Sequence, residues 1–302
     1  MKSHFNRSHL LITILIVAAF SAGQNNALAT ETAIIDAPAQ GADVKKTSNG
    51  KYADINGLRM YYEIHGSGHP LVLLHGAFGF VESWGPLLTA LAKNHQVIAL
   101  ELQGHGHTND LDRALSFEQM ADDTAALLNH LKVTKADIFG YSLGGTVALA
   151  ISIRRPELVR KLAIYGSCAG NMKDTYDPGT YKQFQSLSTD FAPAPLKEPY
   201  DRMAPDPKRW PILVTKIKNL EKDFKGFSAD EVKTIKAQTL IMMGDRDAVR
   251  PEHAVEMYRL IPNSQLAIFP GSDHFLVYTG PDRLLSTLLP FLDTAVTDPR
   301  KA

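Results

Sequence analysis

The sequence predicts an α/β fold: a mainly parallel sheet with helices on both faces and a helical insertion ahead of its last strands. Three observations carry this prediction. Strand-length apolar runs alternate with helix-length amphipathic runs over most of the chain. Several of the strand runs, such as Pro70 to His75 (PLVLLH), are almost wholly apolar, as a parallel strand buried on both faces requires. The alternation then pauses over residues 169–228, which are rich in Pro, Lys and Asp with scattered aromatics, and afterwards resumes. About sixty residues of low apolar density make a poor independent core, so this stretch reads as a helical cap on one domain.

Taken in order, Tyr52 to Ile64 reads as two strands around Asn56-Gly57, the strongest short hairpin signal, placed at one edge of the sheet. The buried strand PLVLLH follows. Glu82 to Ala92 has helical spacing, with Trp84, Leu87, Leu88 and Leu91 on one side. Val97 to Leu100 is the next strand and leads into Gly104-His105-Gly106. Phe117 to Leu131 is an amphipathic helix with Ser116 as its N-cap. Ala136 to Phe139 is a short β-prone run, Thr146 to Ile153 an apolar helix, and Lys161 to Tyr165 a strand. Inside the insertion, Trp210, Leu213, Val214, Ile217, Leu220 and Phe224 keep helical spacing behind Pro211, a good first-turn proline. Strands at 239–243 and 265–269 then alternate with helices at 251–260 and 281–292.

The N-terminus reads differently. Lys2 and Arg7 precede an apolar core, Leu10 to Phe20, then a polar stretch and Ala27-Leu28-Ala29, the small-x-small pattern of a signal peptidase site. That core is too short to cross a ~30 Å hydrocarbon layer as a stable helix. The expectation is a signal peptide over residues 1–29, cleaved after Ala29, with a retained anchor as the alternative. The product is then periplasmic or secreted, without stable membrane insertion. Residues 30–50 lack periodicity and read as a flexible arm, leaving 51–302 as the folded domain. The 32 basic and 32 acidic residues cancel, which argues against nucleic acid as a partner. Cys168 is the only cysteine; it excludes an internal disulfide and a Cys-based zinc site, and reads as a buried structural thiol. Nothing in the sequence speaks to the oligomeric state.

The chemistry concentrates at the ends of the predicted strands, where open α/β sheets bind ligands. Gly140-Tyr141-Ser142-Leu143-Gly144-Gly145 lies between a strand and a helix, the setting of a nucleophile elbow. There the Ser142 hydroxyl projects above the sheet, and the Leu143 amide faces the developing oxyanion. His75-Gly76-Ala77-Phe78-Gly79 follows the PLVLL strand, and its turn can leave the Ala77 N–H free as a second oxyanion donor. Gly244-Asp245-Arg246-Asp247 follows another strand, and either carboxylate is able to orient a histidine. Gly271-Ser272-Asp273-His274-Phe275 follows the last strand and offers His274 as general base and acid.

These motifs, in this order, resemble the α/β-hydrolase fold superfamily, in its single-domain, capped, serine esterase-like form. The resemblance covers Tyr52 to Leu292 and rests on HGAFG (75–79), GHG (104–106), GYSLGG (140–145), GDRDAVRP (244–251) and GSDHF (271–275). It implies a Ser142–His274–Asp247 triad, selecting Asp247 over Asp245, and an oxyanion hole of the Ala77 and Leu143 amides. It implies no metal and no cofactor. Serine at the elbow departs from the dehalogenase and epoxide-hydrolase branches, which carry Asp there. Glu101-Leu102-Gln103 replaces the frequent Asp-x-Arg, a change expected to affect the pocket rather than the triad. His75 and His105 read as architectural hydrogen-bonders.

The expected reaction is hydrolysis of an ester-like bond in a small, neutral or apolar substrate through an acyl-enzyme. A carboxylesterase comes first; a C–C bond hydrolase, lactonase or perhydrolase on the same triad is the alternative, since fold and triad do not fix the reaction. A slow-turnover small-molecule binding protein is the reading from another class. Phe78, Tyr141, Trp210 and Phe275 are the expected pocket residues, and Phe80, Phe224 and Phe227 are further aromatics that serve either the pocket or the cap–core contact.

Overall fold

The computed structural model describes residues 50–296, and the expected signal peptide and most of the expected arm lie outside them. The hairpin forms as β1 (Gly50–Ile55) and β2 (Leu58–His65), with Asn56 and Gly57 both at positive φ, the backbone that a two-residue turn between twisted strands demands. Next come β3 (His69–Leu74), α1 (Gly85–Leu91), β4 (His95–Leu100), α2 (Phe117–His130), β5 (Ala136–Tyr141), α3 (Leu143–Arg154) and β6 (Val159–Tyr165). The insertion holds α4 (Met172–Thr175), α5 (Pro178–Gln185), α6 (Ala194–Met203) and α7 (Trp210–Asp223), and α8 (Ala229–Lys233) follows directly after it. The chain closes with β7 (Gln238–Arg246), α9 (Pro251–Leu260), β8 (Ser264–Asp273), α10 (Leu276–Thr279) and α11 (Pro281–Asp293).

The eight strands among the described residues form one sheet in the order β1-β2-β4-β3-β5-β6-β7-β8. Pairs β1–β2 and β2–β4 are antiparallel, and all others are parallel. The apolar core is split by the sheet. On one face α2, α3 and α9 cover Val72, Leu74, Ile98, Ile138 and Ile164; on the other, α1 and α11 cover Leu71, Leu73, Phe139, Ala163 and Leu240. Alternate residues of β3 thus belong to different layers, which is why the run is apolar throughout.

Most elements shift by one to three residues at their ends, and two of the differences from the sequence reading have a clear local cause. The helix expected over 82–92 opens as a 3₁₀ turn, Val81–Trp84, because Gly85 stands at φ +47 before Pro86 and breaks the first turn. The strand expected to end at Phe269 runs through Pro270 to Asp273. Proline is tolerated there because β8 is the sheet edge and needs no further partner for its N–H side. No helix of the described residues is long and apolar enough to cross a membrane.

Candidate active site

Ser142 is the single residue between β5 and α3, at φ +53 and ψ −124. A side-chain-bearing residue in that region costs on the order of 1–3 kcal/mol, so the surroundings must impose it. The Ser142 N–H donates to the Tyr165 carbonyl at 2.9 Å, and the Gly145 N–H donates to the Ser142 carbonyl at 2.9 Å. Helix α3 starts directly against the end of β3, and a Cβ at Gly144 would collide with the Leu74 carbonyl. The glycine permits the helix N-terminus to sit on the strand, and the turn ahead of it tightens accordingly.

Three side chains from three strand ends meet there. His274 Nε2 lies 2.9 Å from Ser142 Oγ, and His274 Nδ1 lies 2.7 Å from Asp247 Oδ1. A carboxylate only accepts, so Nδ1–H donates to Asp247 and Nε2 is left to accept from the Ser142 hydroxyl. The Val249 N–H also donates to Asp247 Oδ1, at 3.0 Å, and fixes the carboxylate from behind. A register shift between β7 and β8 falls at Gly244/Arg246, immediately before Asp247. Burial disfavours charging His274, but the charge and hydrogen bond of Asp247, with Asp273 and Glu221, outweigh it and hold the imidazole above its ordinary pKa. Asp245 has a different place: it is exposed and accepts the Ser272 N–H at 3.2 Å.

Leu143 opens α3, so its N–H has no carbonyl one turn back to receive it. The Ala77 N–H donates to no group among the described residues. Its loop is braced from below. Buried His75 accepts the Leu102 N–H on Nε2 at 3.1 Å and donates from Nδ1 to the Gly76 carbonyl at 2.8 Å, while burial pushes its pKa down to about 3. Glu101, fully buried, accepts the Val81 N–H at 3.1 Å and the His107 N–H, tying the loop after β3 to the loop after β4. Glu82, Glu101 and His107 bring ligand-type atoms within 4.8 Å of one another, but the hydrogen bonds of Glu101 already serve this bracing. His105, also buried, bonds the Gln103 carbonyl through Nδ1 at 3.0 Å.

Above the serine, between the sheet and the insertion, lies a cavity of about 260 Å³. Phe78, Tyr141 and Phe275 line it from the core, and Tyr176, Phe184 and Ile217 from the insertion. Trp210 does not line it. Its ring packs 5.1 Å from Phe78, is only 1 % exposed, and donates its indole N–H to the Phe191 carbonyl at 2.7 Å. The expected pocket role is therefore a supporting one, because the start of α7 turns Trp210 into the cap–core seam. Phe80 does reach the cavity, whereas Phe224 and Phe227 pack on each other, and Phe224 on Phe117 of α2.

Two further residues matter that the sequence reading passed over. Gly166, after β6, stands at φ +59, and a Cβ there would lie 2.8 Å from His274 Nδ1 and 3.0 Å from Asp247 Oδ2. Its signal was the same strand-end position that marked the other loops. Glu221 of α7 lines the cavity and is buried. It stands four residues after Ile217, on the apolar stripe of its helix, where a carboxyl is out of place.

The comparisons with known proteins agree with this architecture. The profile of the Alpha/beta hydrolase family matches residues 71–287. The serine hydrolase BPHL of Homo sapiens is 28% identical over 233 residues, covering 74% of this chain and 79% of that protein. The 2-hydroxymuconate semialdehyde hydrolase of Pseudomonas sp. (strain CF600) is 35% identical over 115 residues, covering 37% of this chain and 41% of its own. Among solved structures, the meta-cleavage product hydrolase from Pseudomonas fluorescens IP01 superposes with a TM-score of 0.69 at 21% identity, covering 81% of this chain and 97% of that one.

Proposed function

This chain belongs to the alpha/beta hydrolase family, and from that premise we propose that Ser142, His274 and Asp247 hydrolyse a small carbonyl compound held under the cap. The observation that carries the proposal is the unbroken hydrogen-bonded line from Ser142 Oγ through His274 to Asp247, opening onto an apolar cavity. His274 takes the Ser142 proton as the hydroxyl attacks the carbonyl carbon. The tetrahedral oxyanion rests on the Ala77 and Leu143 N–H groups, each worth roughly 3–4 kcal/mol in the transition state. His274 then gives its proton to the leaving atom, and water repeats the sequence on the acyl-enzyme.

For the bond that breaks, the relatives support the alternative over a simple carboxylic ester. The 35%-identical segment belongs to a semialdehyde hydrolase, not to an esterase by name. We therefore place cleavage of a C–C bond next to a carbonyl, or of a lactone, ahead of the carboxylesterase reading. The triad serves each, because only the group protonated by His274 changes. Purified protein assayed on a panel of diketones, lactones and p-nitrophenyl esters tests both levels. Ser142→Ala is expected to lose at least about 10³-fold in turnover on every active substrate while keeping its fold. Unchanged turnover in that variant overturns the serine mechanism, and activity confined to simple esters overturns the order of bonds.

A further inference from the structure

The insertion contributes one carboxyl to the cavity, and it takes no part in the chemistry above. Glu221, on α7, is 8 % exposed and lies on the cavity wall among Met172, Tyr176, Phe184 and Ile217. None of the hydrogen bonds or ion pairs of the described residues engages its carboxyl, and its electrostatic influence reaches His274 across the cavity. A largely buried carboxyl without a protein donor is costly, because no group of the protein offsets its desolvation. Burial accordingly pushes its pKa up to about 7. The other carboxylates on the lining each receive donors: Asp247 those of His274 and the Val249 N–H, both on Oδ1 with Oδ2 left over beside the triad, and Asp273 that of the Phe275 N–H. Arg246, the fixed cation on the lining, is exposed to solvent and makes no ion pair with Glu221.

We propose that Glu221 is the specificity-determining group of the cavity, and that it binds an ammonium or amino group of the substrate whose carbonyl faces Ser142. A protonated amine supplies the donors that the carboxyl lacks and the charge that its burial penalises. The wall suits such a group as well: Tyr176, Phe184 and Phe78 line it with aromatic rings, whose faces attract cations in desolvated surroundings. An apolar substrate without a donor leaves Glu221 unsatisfied and binds with that penalty intact. Discrimination thus comes from the unmet polar group, the situation in which a site rejects an analogue that lacks the matching donor most strongly. The inference deepens the proposed function, since it assigns the substrate class for the cavity above Ser142.

Binding rather than turnover tests it, so that a failure of the serine mechanism does not enter the result. Primary alkylammonium and arylalkylammonium ions of increasing length, each paired with the alcohol in which hydroxyl replaces the ammonium group, are titrated calorimetrically at pH 8 into the wild-type protein and into Glu221→Gln. At least one ammonium ion is expected to bind about 10- to 100-fold tighter than its paired alcohol, as for a hydrogen bond to a charged group, and Glu221→Gln is expected to abolish that preference. Equal binding of ammonium ion and alcohol across the wild-type series overturns the proposal, and that measurement needs no variant. A preference that survives unchanged in a folded Glu221→Gln also overturns it. Ester turnover in the same samples reports separately on Ser142.

Discussion

At Ser142 the backbone is held at φ +53 by the Tyr165 carbonyl and the tight start of α3, which aims one hydroxyl at one imidazole. That imidazole sets the pH dependence. Catalysis needs His274 neutral, and its pKa is raised, chiefly by Asp247 acting against burial. Activity is therefore full above the raised pKa and falls as pH drops through it, so the acid limb of kcat/KM is expected to have its midpoint above the ordinary value of about 6.5. Asp247→Asn removes the charge that raises it. The limb should move to lower pH, and the plateau should drop by about 10³- to 10⁴-fold. A limb that stays in place in this variant belongs to another group, and Glu221→Gln then identifies whether the cap carboxyl is that group. At this scale the sequence was informative wherever a residue type is chemically scarce at a strand end: Ser142, Asp247 and His274 stood out in that way. Glu221 was marked only by its place on the apolar stripe of its helix, a weaker signal, because glutamates are common on amphipathic helices and the stripe does not tell cavity from core.

The insertion is held to the sheet by a clasp that no motif announces. Asp110, in the loop after β4, accepts from Arg209 at 2.7 Å, from Lys216 of α7 at 2.8 Å, and from Gln103 at 2.9 Å. Its side chain is 5% exposed; burial alone would raise its pKa, but Lys216, Arg209 and Gln103 hold it below the ordinary carboxylate value. Lys216 and Glu221 sit on the same helix, so the clasp also fixes where the cavity carboxyl points. Asp110→Asn leaves Lys216 without its counter-charge and Arg209 with only Asp112, 3.9 Å away. A loss of about 1–3 kcal/mol is expected, concentrated in local opening of α7. The measurement is hydrogen exchange: amides of 213–220 should lose about tenfold or more in protection, while those of β3 and β5 hold theirs. Uniform loss across the sheet would instead make Asp110 part of the global core. The elements themselves were legible to different degrees, for physical reasons. Helix α7 was readable from its apolar spacing, and the hairpin from Asn56-Gly57. Helices α5 and α6 bury almost nothing apart from Tyr200, and α6 carries Pro199 inside it, so neither periodicity nor propensity marked them. Their order comes from packing against α7 and Trp210.

Across the described residues, the strained serine and its catalytic partners gather at the carboxyl ends of the strands, and the opposite end is braced by contacts of a different kind. Lys161, near the start of β6, is the clearest brace. It is fully buried, and its ammonium donates to the carbonyls of Phe291, Leu292 and Thr294 at 2.6, 2.9 and 2.5 Å. Those are carbonyls at the C-terminus of α11, which have no intrahelical donors of their own and carry the negative end of the helix dipole. Burial disfavours the charge on Lys161, but its one side chain closes the last turn of the helix that covers β3, β5 and β6 on that face. Lys161→Met keeps the length and apolar stem but removes all three donors. A buried carbonyl left unpaired costs about 1–3 kcal/mol. The Leu292 carbonyl loses its donor outright, the Phe291 carbonyl keeps the Thr294 hydroxyl and Thr294 is exposed, so a net loss of about 2–4 kcal/mol is expected with the lost packing of the ammonium. For a domain of this size that lowers Tm by roughly 4–16 °C. The cavity lies at the other end of the sheet, so kcat and KM on any active substrate should stay within about twofold, as for distant independent sites. If Lys161→Met instead lost activity at unchanged Tm, the two ends of the sheet would be coupled, and the division between a bracing end and a reacting end would be wrong.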